Sequence, residues 1–165
     1  MKTNKINKIL IALDFHPSAT KVIEAGFGLA KTMNAKVILL HTKIQLVNYS
    51  LIYKKIGSMK LDSVEDLELA AYNFLEKAKH QVGDDMIQTI VKQGDFAESI
   101  LKTAKEMEVD LIVMGSHSTK WLEEIVLGRI SNEFLQNTTI PLLIVPTHKH
   151  NKTNTLISHD KLLTV

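Results

Sequence analysis

Five short apolar runs punctuate the chain: Lys8–Leu13, Lys36–His41, Met86–Val91, Leu111–Met114 and Leu142–Val145. Most are nearly continuous rather than alternating, the pattern of strands buried on both faces of a parallel sheet. Between them, small and apolar residues recur at intervals of three and four. Ala19, Val22, Gly26, Leu29, Ala30 and Met33 make one such stripe. Val64, Leu67, Ala71, Leu75 and Ala78 make a second, and Ala97, Ile100, Leu101, Ala104 and Met107 a third. After Gly128 the spacing resumes at Ile130, Phe134 and Leu135. The predicted order is β-α-β-α-β-α-β-α-β, for which a right-handed, doubly wound α/β sheet is the economical arrangement. The punctuation agrees. Pro17 suits the first turn of helix 1, Asp95 with Glu98 three residues on forms a capping-box pattern, and Asn34 and Gly83 fall where the first two helices should stop.

Residues 43–60, which include Tyr49, Tyr53 and Gly57, are longer than a normal βα connection and are read as a variable loop, a lid being the alternative. The reading divides the chain into one domain, residues 1–147, and a C-terminal tail, residues 148–165.

Composition narrows the function classes. A length of 165 residues suits one domain with its own core. Twenty basic against eighteen acidic residues leave a net charge of +2, too diffuse to point to a nucleic-acid partner. The absence of cysteine excludes disulfides, thiolate catalysis and cysteine-ligated zinc. The N-terminal apolar run ends at Asp14, short of the roughly 7–15 residues of a secretory core, and no run approaches the ~20 residues of a membrane span. A soluble cytoplasmic protein is expected.

In an open α/β sheet, ligands bind at the carboxyl ends of strands where the strand order reverses. Asp14, Thr42 and the turn Gly115-Ser116-His117-Ser118 are predicted at such ends. Backbone amides in a glycine-containing turn, followed by a helix N-terminus, suit an anion. Neither G-x-x-x-x-G-K-[ST] nor a G-x-G-x-x-G after strand 1 is present, which argues against a Walker NTPase or an ordinary dinucleotide enzyme. No nucleophile–base–orienter set, paired carboxylates at strand ends or metal cluster is evident, so no catalytic residues are assigned.

From Gly115 to Arg129 the chain resembles the universal stress protein family, whose nucleotide signature is G-x-x-G, nine residues, then G-[S/T]. Gly115, Ser118, Gly128 and Arg129 occupy the four places, with the nine-residue spacer Thr119–Leu127 intact. The resemblance extends over about the first 147 residues through the strand ending at Asp14, "VILLHT", "GDFAESILKTAKE", "DLIVMGSH" and "PLLIVP". It implies an adenine nucleotide alpha hydrolase-like, Rossmann-like fold with a five-stranded parallel sheet of order 3-2-1-4-5. It also implies a site for ATP, AMP or ADP, with magnesium as an open question. Leu13 and Asp14 would line the adenosine pocket, and the backbone of Thr42 would meet the adenine. Gly115, His117 and Ser118 would approach the ribose and phosphates, while Gly128, Arg129, Ile130 and Ser131 would wrap the phosphate tail. The last strand, Pro141–Val145, resembles the family's dimer edge, so a homodimer is expected, with protein partners not identified.

Two letters depart from the signature. Ser118 stands for the second glycine, at a cost of roughly 1–2 kcal/mol if that place needs positive φ. Arg129 replaces a small hydroxyl with a fixed cation of five donors, suited to phosphate. Plainer roles stand beside these. Asp14 can cap helix 1, His41 reads as a satisfied core histidine, and Trp121 as a packing or lid residue. His148 and His150 read as part of an exposed tail, and Arg129 can pair with Glu123, Glu124 or Glu133. The resulting expectation is an ATP-binding stress protein that acts by binding and signalling. A nucleotide-free homodimeric interaction module is the alternative, and a slow ATP hydrolase the third reading.

Overall fold

Strands with apolar side chains on both faces must be covered twice, and the chain meets that demand with helices on each side of one sheet. The structure is a computed structural model that describes residues 5–15, 17–43, 64–116 and 138–147. Its elements are β1 (Lys8–Leu13), α1 (Ala19–Met33), β2 (Lys36–Lys43), α2 (Val64–Val82), β3 (Gln88–Gln93), α3 (Phe96–Glu106), β4 (Leu111–Gly115) and β5 (Leu142–Val145). All pairings are parallel, and the sheet order is β3-β2-β1-β4-β5, as expected. The chain builds outward from β1 through β2 to β3, then crosses back to lay β4 on the other side of β1. The reversal lies between β1 and β4.

Alternation along the central strands sorts the core into two layers. Ile9, Ile11 and Leu13 of β1 join Val37, Leu39, Leu111 and Val113 beneath α1 and α2, with Val22, Ile23 and Leu75. Leu10 and Ala12 join Ile38, Leu40, Ile112 and Met114 on the opposite face beneath α3, with Ile100 and Ala104. Gly26 sets how closely α1 approaches. A Cβ there would lie 2.6 Å from Ile11 Cδ1 and 3.4 Å from Val113 Cγ1, so the helix rests directly over β1 and β4.

The local signals have physical counterparts. Asp95 Oδ1 accepts the Glu98 amide at 2.9 Å, the forward half of the capping box. Asn34 ends α1 in the left-handed region at φ 53°, and Gly83 follows α2 at φ +69°. At the amino edge of the sheet, Asp110 Oδ2 accepts the amides of Asn7 (2.8 Å) and Lys8 (3.0 Å), which fixes the relative height of β1 and β4.

Boundaries differ from the sequence reading in three strands, β3 also ending later, at Gln93 rather than Val91. β3 starts at Gln88 rather than Met86, because the Asp84 side chain accepts the Met86 amide at 2.9 Å and turns that methionine outward. Met86 is 90% exposed. β2 runs on to Lys43, so Thr42 lies inside the strand, level with Lys92, rather than after it. Gly115 is the last residue of β4, level with Val145 of β5. The helix expected after Gly128, the 43–60 connection beyond Lys43 and the 148–165 tail lie outside the described residues.

Candidate functional site

The β1–β4 pairing ends at the sheet's carboxyl edge, and four of the ten residues picked out from sequence stand along that edge. The β1–β2 register places Leu13 level with His41, and the β1–β4 register places Ala12 level with Met114. Asp14 is thus one step past the last paired row of β1, Thr42 one step past His41, and Gly115 one step past Met114. Leu13 is buried, Asp14 half-buried and Thr42 buried. Strand alternation sends Leu13 toward the α1–α2 layer and Thr42 toward the α3 layer. His117, Ser118, Gly128, Arg129, Ile130 and Ser131 lie outside the described residues.

The end of β1 is held from the side. His41 is buried at the end of the apolar run of β2, and its Nδ1–H donates to the Leu13 carbonyl at 2.9 Å. The carbonyl can only accept, so this bond selects the Nδ1-protonated tautomer or the cation. Phe15 meets the imidazole edge-on at a centroid distance of 4.4 Å, and Phe74 of α2 lies 4.7 Å from Phe15 and 6.0 Å from His41. Ring pairs at these separations favour tilted and edge-on arrangements. Asp14 is therefore flanked by Leu13, held through its carbonyl, and Phe15, held through its ring. The sequence reading of His41 as a core histidine agrees with its burial, and the bond accounts for Nδ1 only. The rings of Phe15 and Phe74 were not singled out, and only the fold brings α2 against this strand end.

The end of β4 is held by hydroxyls. Ser116 donates its amide to the Val145 carbonyl at 2.8 Å, which carries the parallel ladder one residue beyond the strands. Its Oγ accepts the Thr147 amide at 2.8 Å and lies 3.1 Å from Thr147 Oγ1. Thr147 is 7% exposed. Thirty-one residues separate the two partners, and nothing in the spacing announces the contact.

Chemically, the edge offers a carboxylate next to buried Leu13 and glycine-containing backbone next to buried Met114. A carboxylate accepts bonds from sugar hydroxyls, and a strand ending in glycine lets a ligand approach the main chain. These features fit a nucleoside. No helix among the described residues is long and apolar enough to cross a membrane.

A parallel five-stranded sheet with its reversal between β1 and β4, where one strand runs into an acidic residue and the other ends in a glycine, defines a doubly wound α/β protein. The model of the universal stress protein family matches residues 5–146, and the chain belongs to that family. It is 32% identical over 147 residues to the universal stress protein YxiE of Bacillus subtilis, which covers 84% of this chain and 98% of that protein. Its fold is similar to that of a universal stress protein solved in complex with cAMP. The TM-score is 0.64 at 18% identity, covering 88% of this chain and all of the other. A universal stress protein from Archaeoglobus fulgidus, solved in complex with dAMP, is similar at a TM-score of 0.55 and 14% identity, covering 86% and 98% of the two chains.

Proposed function

We propose that this chain binds ATP or a related adenine nucleotide, AMP or ADP, at the β1–β4 switch point and acts in a stress response by binding and signalling in the cytoplasm. The observation that carries the reading is the placement of Leu13-Asp14 and Gly115-Ser116 just past the last β1–β4 pair, at the carboxyl ends of adjacent strands where the sheet order reverses. The cAMP and dAMP complexes of proteins with this fold support an adenine nucleotide in particular.

In this reading Leu13 and Asp14 line the adenosine pocket, and the Thr42 backbone meets the adenine. Gly115, His117 and Ser118 face the ribose and phosphates. Gly128, Arg129, Ile130 and Ser131 surround the phosphate tail with amides, the Ser131 hydroxyl and one cation. With Arg129 where the signature has a small hydroxyl, the guanidinium supplies charge that a metal would otherwise bring. Magnesium then adds little to affinity. Residues 1–147 form the binding domain, and residues 148–165 the tail.

The protein works as a homodimer paired through Pro141–Val145. β5 ends the sheet among the described residues, and its Leu143 and Ile144 are each 38% exposed. An apolar edge strand of this kind is a template for pairing. The same edge favours the second reading, in which the dimer surface engages partner proteins without nucleotide.

Denaturing the purified protein and identifying any released nucleotide separates the two, together with thermal shifts in ATP, AMP and magnesium. Carried adenine nucleotide, or a rise in Tm with ATP, supports binding. No carried nucleotide and no shift at millimolar ATP leaves the interaction module. Arg129→Ala is expected to weaken ATP about tenfold or more while sparing adenosine, as loss of a charge-assisted phosphate contact should. Equal losses for both ligands would reassign the arginine to structure.

A further inference from the structure

We propose that Thr147 is a positioning residue for the phosphate side of the nucleotide pocket, acting through Ser116. This inference rests on the nucleotide-binding reading. It concerns a residue one place beyond the 5–146 stretch that the family model matches.

The argument starts from the peptide joining Gly115 to Ser116. It is planar and trans, so its N–H and C=O point to opposite sides of the strand. The Ser116 N–H donates to Val145 on the β5 side. The Gly115 carbonyl is thereby directed to the β1 side, where Asp14 stands past the last paired row. One ladder bond at the end of a four-residue strand is a weak hold on that plane. Thr147 adds two more, its amide to Ser116 Oγ at 2.8 Å and its hydroxyl 3.1 Å from the same oxygen. Both are formed by a residue that is itself buried, so water does not readily replace them.

Ser116 is consequently fixed at its amide and its side chain at once. The hydroxyl pair is on the β5 side of the strand, away from the β1 end that would receive the nucleoside. Loss of the pair should then weaken most the ligands whose phosphates extend past the ribose along the glycine turn, and least adenosine, which brings only its ribose there. That split would not arise from a general loss of stability.

Isothermal titration of wild type, Thr147→Val and Thr147→Ser with adenosine, AMP and ATP tests this. Thr147→Val keeps the shape and the amide bond and removes the hydroxyl. It is expected to weaken AMP and ATP by about fivefold to tenfold, the reach of one hydroxyl bond, and to leave adenosine within about twofold. Thr147→Ser should restore both phosphates' affinities, and Ser116→Ala should reproduce the Thr147→Val split through the other partner. Unchanged ATP affinity in Thr147→Val and Ser116→Ala overturns the proposal while nucleotide binding stands. Equal weakening of adenosine and ATP also overturns it, since the clasp is then structural. A wild-type chain that binds none of the three ligands overturns this inference and the nucleotide reading together.

Discussion

At the end of β1 the backbone is held by a buried imidazole set among two phenyl rings, whereas at the end of β4 it is held by two hydroxyls and an amide. The first hold belongs to the core. His41 lies on the same strand face as Val37 and Leu39 and packs with Phe74 of α2, so the groups that fix Leu13 also close the α1–α2 layer. The second hold is peripheral to the core and made almost wholly of directional bonds. Binding and folding should therefore be inseparable at the β1 end and separable at the β4 end.

The largest effect should come from the packed end. His41→Ala removes a buried ring and the donor to the Leu13 carbonyl. It is expected to cost about 3 kcal/mol, as a core truncation with a lost hydrogen bond does. Urea unfolding would measure the loss, and adenosine and ATP should weaken to a similar extent. A variant that keeps its stability, or that weakens ATP alone, would dissolve the contrast between the two ends.

Gly26→Ala comes next and acts on both ends. The added methyl would lie 2.6 Å from Ile11 Cδ1 on β1 and 3.4 Å from Val113 Cγ1 on β4. Overpacking costs about 1–3 kcal/mol, and replacing glycine within a helix returns up to about 1 kcal/mol. A net loss of about 1 kcal/mol is expected in the same urea titration, with adenosine and ATP affinities moving together. Net stabilisation would mean that Ile11 swings aside and that α1 does not set the spacing beneath the switch point.

How far this arrangement was legible in sequence follows the same division. Continuous apolar runs and helical stripes depend on burial, which hydropathy records directly, so the five strands were readable from Lys8 to Val145, while their order in the sheet was an expectation from the family resemblance. Asp14 and Gly115 were readable because they interrupt those runs at their carboxyl ends. Thr42 was placed one strand-end too late, since β3 pairs β2 as far as Lys43 and the apolar pattern stops before the hydrogen bonds do. Met86 was placed inside a strand because the Asp84 turn that expels it is made by a side chain rather than by hydropathy. Phe15 beside Phe74, and Ser116 beside Thr147, were not readable. Each pair joins segments brought together only by the β-α-β crossovers, and their residue types are common enough to carry no signal alone.

The smallest effect on stability, and the sharpest test of the comparison, belongs to Ser116→Ala. Its Oγ accepts the Thr147 amide and pairs with the Thr147 hydroxyl, so its loss leaves a buried donor and a buried hydroxyl without that partner. A cost of about 1 kcal/mol is expected, roughly a third of that for His41→Ala. Thr147→Val removes only the hydroxyl half and should cost less. In the double variant the hydroxyl–hydroxyl bond cannot be lost twice, so the combined cost should fall short of the sum by about 0.5 kcal/mol or more. Urea unfolding of the four proteins reads that coupling directly. Additive costs would show that the two hydroxyls stand side by side without holding each other, and the end of β4 would then depend on the Ser116–Val145 ladder bond and the Thr147 amide. Coupling in stability, with the ATP-selective loss confined to the same pair, would establish that a few directional bonds hold one end of the pocket while the core holds the other.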